Sequence, residues 1–255
     1  MSDKDETDDS IPQPTSTWED ALLRLGILDK KAVSQMTSPE ERWRIVRYQR
    51  ILDIEHLNYP PASKSFISVK AFVQHLHYLK HRCQVLALSS LVEKVLSGEK
   101  IEPLTVAITF DGGYVEQFTQ VAPLLERLEL PATFFVLPKY LNTDLPRWPE
   151  AIMAFATLVT LKKTTLSAYP EFAFALKNTD ELARFSKWTQ FEMAEHVINH
   201  LLKLRLEHRE KLLPNLLRTI GAELSQAKLP RTFARHEELA SLNPKLFSIG
   251  IAGMT

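Results

Sequence analysis

The stretch Val106-Ala-Ile-Thr-Phe-Asp-Gly-Gly-Tyr114, followed by Leu130-Pro-Ala-Thr-Phe-Phe-Val136, decides the fold. Leu104 to Phe110 is almost continuously apolar and rich in β-formers, as a strand covered on both faces should be. Gly112-Gly113 predicts a tight turn directly after it. Phe118, Val121, Leu125 and Leu128 then recur at helical spacing, and Pro123 should kink that helix or delay its start. Ala132 to Leu137 reads as the next buried strand. Strand, helix and strand at this spacing make a βαβ unit with parallel strands and a right-handed crossover, so the chain is of the α/β class.

Working toward the N-terminus, Gln84 to Leu88 is a short buried strand and Leu91 to Leu96 a short helix ended near Gly98. Ser68 to His81 carries Phe72, Leu76 and Leu79 at helix spacing. Residues 53–65 hold Pro60-Pro61 and predict a loop. Trp43 to Tyr48 alternates like a strand. Helices are expected over 17–42, one starting near Ser16-Thr17-Trp18 and one near Ser38-Pro39. Residues 1–16 are polar and acidic and predict a disordered tail.

Toward the C-terminus, residues 147–228 read almost wholly as helix and are expected to form an insertion in the domain spanning 43–255. Thr189-Gln-Phe-Glu192 fits a capping box, with Phe191, Ala194, Ile198 and Leu202 expected on one buried face. Leu213, Leu216, Leu217, Ile220 and Leu224 form a second stripe, with Pro214 expected near its start. Glu237 to Leu242 predicts a short helix and Leu246 to Ile251 a last strand.

Composition narrows the function. The 255 residues carry 31 basic and 31 acidic side chains, giving a formal net charge of zero. That argues against a nucleic-acid surface. The single Cys83 allows no intrachain disulfide. The acidic start has no apolar core, so no secretory signal is expected. Nothing approaches the roughly 20 apolar residues of a membrane span. Cytoplasmic placement, with no membrane partner, is the resulting expectation.

Asp111 is the candidate catalytic residue. It follows an apolar strand, and carboxyl ends of parallel strands line active sites. A carboxylate there serves as a general base or metal ligand, or else orders the turn through its own backbone. Position alone leaves the two balanced.

Thr109-Phe-Asp-Gly-Gly113 resembles the opening motif of the NodB-type polysaccharide deacetylases, carbohydrate esterases whose usual form is Thr-Phe-Asp-Asp-Gly. The likeness extends over roughly residues 43–255. Ile45 to Ile51 resembles the family's Tyr-His-Arg segment with Gln49 in place of His, and Pro230 to Leu239 resembles the helix before its second motif. It implies a distorted (β/α) barrel and removal of acetyl groups from N- or O-acetylated carbohydrate, a hydrolysis of carbon–nitrogen or ester bonds. It assigns Asp111 as general base, and Tyr114 and Trp148 as binding residues. In the intact family, the second Asp and two later histidines hold a divalent metal such as zinc, which activates water and polarises the carbonyl.

Here Gly112 stands where that Asp belongs and Ala252 where the first histidine belongs. The second histidine would fall just past Thr255, and the family's Arg-Pro and Leu-x-Leu-His segments lie beyond it. The expectation is therefore an incomplete barrel with no bound cofactor and weak or absent hydrolysis, a pseudoenzyme. The alternative is a non-catalytic carbohydrate- or protein-binding module using the helical insertion. The histidine pairs His77/His81 and His196/His200, the latter with Glu192 alongside, read as solvated helix faces. His236 reads as a surface residue. Phe110, Phe134 and Phe135 all read as core.

Overall fold

A computed structural model of the chain describes residues 43–53, 66–144, 146–175, 189–224 and 231–252. The tail, the helices expected over 17–42 and most of the loop expected over 53–65 lie outside these residues.

Strand β5 (Thr105–Gly112) runs through the centre of a parallel sheet. Strand β1 (Trp43–Tyr48) pairs along Thr105–Phe110. Strand β4 (Gln84–Leu86) takes Thr105–Ala107, and β6 (Ala132–Val136) takes Ile108–Gly112. Strand β7 (Phe247–Ile251) adds to β6. A separate parallel pair joins β2 (Arg50–Leu52) to β3 (Phe66–Ser68). No closed barrel forms among the described residues.

Every residue of β5 except Asp111 is buried, as a strand covered on both faces requires. Because strand side chains alternate between faces, Val46, Tyr48, Val106, Ile108, Phe110 and Phe134 share one side. Helix α1 (Val69–Arg82) covers that side with Phe72, Leu76 and Leu79. Its N-terminus is capped by Ser68 Oγ, which accepts from the Ala71 amide at 3.1 Å. On the opposite side, helix α2 (Leu88–Ser97) sets Leu91 against Ile101 and Ala107. Gly98 ends α2 in the left-handed conformation, φ 69°.

The crossover from β5 to β6 shows what Pro123 does. The helical path starts at Val115, widens into a π-helical turn (Gln117–Val121), and becomes regular helix α3 (Ala122–Arg127) with Pro123 in its first turn. Proline lacks the N–H that an interior position must supply, so the irregular turn falls just before it and Pro123 sits in the first turn of α3 rather than delaying the helix as a whole.

Helices α4 (Trp148–Leu161), α5 (Gln190–Lys203) and α6 (Leu206–Leu224) lie within the stretch read as helical and share their own apolar cluster. The Thr189–Glu192 capping box is present. Two details differ from expectation. The buried stripe of α5 is Met193, Ala194, Val197, Ile198 and Leu201, while Leu202 is 55% exposed; the contact with α4 selects a face turned by one residue from the anticipated one. Pro214 sits inside α6, which starts at Leu206, rather than near its start. Helix α7 (His236–Ala240) precedes β7.

Candidate functional site at the carboxyl end of the sheet

Asp111 stands at the C-terminal tip of β5 with its side chain 32% exposed. Arg47 of β1 reaches across, its Nη1 donating to Asp111 Oδ2 at 3.2 Å. With Arg47 at 74% exposure, this pair is solvent-screened and contributes at most about 1 kcal/mol to stability. The backbone beneath is held more firmly. Gln117, fully buried in the π-helical turn, donates from Nε2 to the Asp111 carbonyl at 2.8 Å and to the Gln49 carbonyl at 2.6 Å. One amide thus fastens the ends of β1 and β5 together, at the kind of helix irregularity that accompanies functional sites.

The turn after Asp111 requires its glycines. Gly112 has φ 106° and Gly113 φ 69°, values that L-residues with a Cβ rarely adopt. A Cβ on Gly112 would lie 2.5 Å from Cε2 of Tyr114 and 2.9 Å from its Cδ2. The place where a side chain at 112 would begin is therefore filled by the tyrosine ring. Ala252 follows β7, its amide donating to the Val136 carbonyl at 2.9 Å. Since Val136 is also the register partner of Gly112, Gly112, Val136 and Ala252 stand side by side at three neighbouring strand ends. Neither Gly112 nor Ala252 offers a donor atom. Among the described residues no group of three or more His, Cys, Asp or Glu side chains converges to hold a metal ion. At positions 112 and 252 the described residues supply no ligating side chain to the divalent metal that the resemblance implies.

Tyr114, expected as a binding residue, is fully buried. Its hydroxyl donates to Glu150 Oε1 at 3.2 Å and accepts from Arg147 Nη1 at 3.2 Å. Its ring stacks on Phe233 at 5.1 Å and carries the Arg50 guanidinium 4.3 Å above its centroid. Arg50 in turn binds Glu116, Nε to Oε1, at 2.5 Å. Burial, reinforced by the Glu150 charge, pushes the Tyr114 phenol up to about 12. Burial likewise pushes the Glu116 carboxyl up, with Arg50 acting against it. Burial opposes the charge on Arg50, but Glu116 more than offsets it and the guanidinium is held above its ordinary value. Arg147 and Glu150 flank the start of α4, so this network ties the sheet tip to the helical block. Trp148, the other expected binding residue, opens α4 and packs against the helical cluster.

The remaining candidates are dispersed. His77 and His81 stack at 6.3 Å on the exposed face of α1. His196 Nε2 lies 3.3 Å from the Ala175 carbonyl, and the His200 ring packs beside Phe174 at 5.7 Å. His236 is exposed, and its amide donates to Asn142 Oδ1 at 2.9 Å. Cys83 is partly buried, its thiol pushed up to about 11 by burial.

Phe135 corrects the reading of the aromatic run. Phe110 and Phe134 are fully buried in the sheet core. Phe135 points to the opposite side, is partly exposed, and belongs to none of the three apolar clusters of the described residues. Strand alternation carries that signal, because residues 134 and 135 must face opposite sides.

Comparison with known proteins bears on the same region. Residues 99–210 match the family model described as polysaccharide deacetylase. No curated protein matches the chain. Among solved structures, it is similar to a de-N-acetylase from Aggregatibacter actinomycetemcomitans at 22% identity and TM-score 0.33, covering 42% of this chain and 43% of that one. IcaB from Ammonifex degensii matches at 21% identity and TM-score 0.35, covering 45% and 48%. The deacetylase domain of BpsB from Bordetella bronchiseptica matches at 16% identity and TM-score 0.31, covering 46% and 53%. The chain thus spans about half the length of the structures it matches. No helix among the described residues is long and apolar enough to cross a membrane. Residues 99–210, which carry the Thr109–Gly113 motif on the central strand of the parallel sheet, are thus similar to the polysaccharide deacetylase family.

Proposed function

We propose that this chain is a deacetylase-related carbohydrate-binding protein that carries little or no metal-dependent hydrolysis. The observation that carries the reading is the pairing of Gly112 with Tyr114. The position next to Asp111 has no donor, and the space for one is occupied by a buried ring. Loss of a metal removes both water activation and carbonyl polarisation. A lone carboxylate paired with Arg47 replaces neither. What the sheet tip retains is a partly exposed Asp111 and Arg47, an acceptor and a donor of the kind that orients a sugar in a binding site.

The test is an acetate-release assay on acetylated chitin-type and peptidoglycan-type oligosaccharides with added Zn²⁺, Co²⁺ or Mn²⁺. Calorimetric titration of the same oligosaccharides runs alongside it. Binding without metal-stimulated acetate release is the expected result. Metal-stimulated release overturns the first half of the proposal, and absence of any oligosaccharide binding overturns the second.

A further inference from the structure

At the level of Asp111, the sheet presents an ordered row on the face opposite the main core, at its carboxyl end. Asp111 of β5 is the register partner of Phe135 of β6, and Phe135 is the register partner of Gly250 of β7. In a parallel sheet such partners share a face. Arg47 lies on that face too, since it reaches the Asp111 carboxylate. The face is not filled by the main core, which lies on the other side with Phe110 and Phe134.

Gly250 determines how Phe135 lies. A Cβ at 250 would stand 2.5 Å from Cε1 and 2.6 Å from Cδ1 of the Phe135 ring. The ring therefore leans across the glycine of the neighbouring strand, onto backbone that any larger residue would deny it. Aromatic side chains cover strand glycines in this way. The result is an aromatic ring flush with the sheet and partly open to solvent, beside a carboxylate that holds a guanidinium.

We propose that Phe135, Asp111 and Arg47 form a pyranose-binding subsite. It rests on the carbohydrate-binding reading above and locates that binding on the sheet face. A pyranose ring presents an apolar C–H face and, at its rim, hydroxyl donors and acceptors. Phe135 supplies the platform for the C–H face. Asp111 accepts from a rim hydroxyl, and Arg47 donates to a rim oxygen. Gly250 is a positioning residue: it keeps the ring low enough for a sugar to stack on it.

The test uses the full chain, chitotetraose as probe, and calorimetry together with saturation-transfer NMR. In the wild type, saturation is expected to fall most strongly on ring C–H protons. Phe135→Leu keeps the apolar contact over Gly250 but removes the flat face, and is expected to weaken binding about tenfold. Gly250→Ala lifts the ring without touching sugar and is expected to weaken binding in the same direction, with circular dichroism and a cooperative melt read beside it to show that the fold is intact. If wild type binds and both variants bind equally well, the subsite is overturned while carbohydrate binding stands. If wild type fails to bind chitotetraose and the other oligosaccharides, the functional reading fails and the subsite with it.

Discussion

Replacing Gly112 by Asp restores the residue that the motif usually carries, and the structure says this change is destructive rather than restorative. Two costs add. At φ 106° a residue with a Cβ is strained, at about 1–2 kcal/mol for positive φ. The new Cβ also meets Tyr114 Cε2 at 2.5 Å, and overpacking of this kind costs about 1–3 kcal/mol. The ring cannot swing aside cheaply, because its hydroxyl and both neighbouring arginines hold it. The sum, about 2–5 kcal/mol, corresponds to a fall in melting temperature of about 4–20 °C for a chain of this size. Gly112→Ala carries the same Cβ and should fall nearly as far. The assay is a thermal melt of wild type, Gly112→Ala and Gly112→Asp, with and without zinc. A true ligand site would stabilise only the Asp variant, by about 2.7 kcal/mol at a hundredfold excess over the dissociation constant. An Asp variant that melts with the wild type, or that zinc selectively rescues, refutes the reasoning.

Three further outcomes follow from the same geometry. Tyr114→Phe keeps the ring but leaves Glu150, whose Oε2 already has no hydrogen-bond partner, without its phenol; a loss of about 1–3 kcal/mol in urea unfolding is expected. In the wild type, the phenol raised to about 12 contributes stability that is intact below pH 10 and lost as pH rises through 12, and this alkaline loss should be absent in the Phe variant. Gly98→Ala probes backbone strain alone, since φ is 69° and nothing lies within 4 Å of the added Cβ; a cost of about 1 kcal/mol is expected, smaller than at Gly112. Finally, hydrogen bonding from Arg231 holds the Glu238 carboxyl below its ordinary value, with the Arg235 amide assisting. Glu238→Gln should therefore be less stable than wild type near neutrality, and the gap should close as pH falls below the ordinary carboxylate range; a gap that persists at acid pH contradicts the ion-pair account.

Much of the scaffold was legible because local signals agreed with the tertiary outcome. The apolar run of β5, the Gly98 stop, the Thr189 box and the heptad-like spacing in α1 each named an element that forms. Asp111 was legible from its place at a strand end, and the lack of donors at 112 and 252 from residue identity alone. The Tyr114 network was not, because Arg50, Glu116, Arg147 and Glu150 are scattered in sequence and meet only when β2, the π-helical turn and α4 converge. Charged residues ordinarily read as solvent-facing, so nothing local marked these four as buried partners. Pro214 misled because proline usually marks a helix start, whereas packing of α6 against α4 sustains the helix through it. Phe135 was hidden inside an aromatic run, although parity along β6 separates it from Phe134.

The most direct measurement is the zinc content of the purified wild-type chain after dialysis against a micromolar excess of the metal, read by plasma mass spectrometry beside Asp111→Ala. The account predicts far less than one equivalent in both proteins. One tightly held equivalent in the wild type that disappears with Asp111 would contradict it.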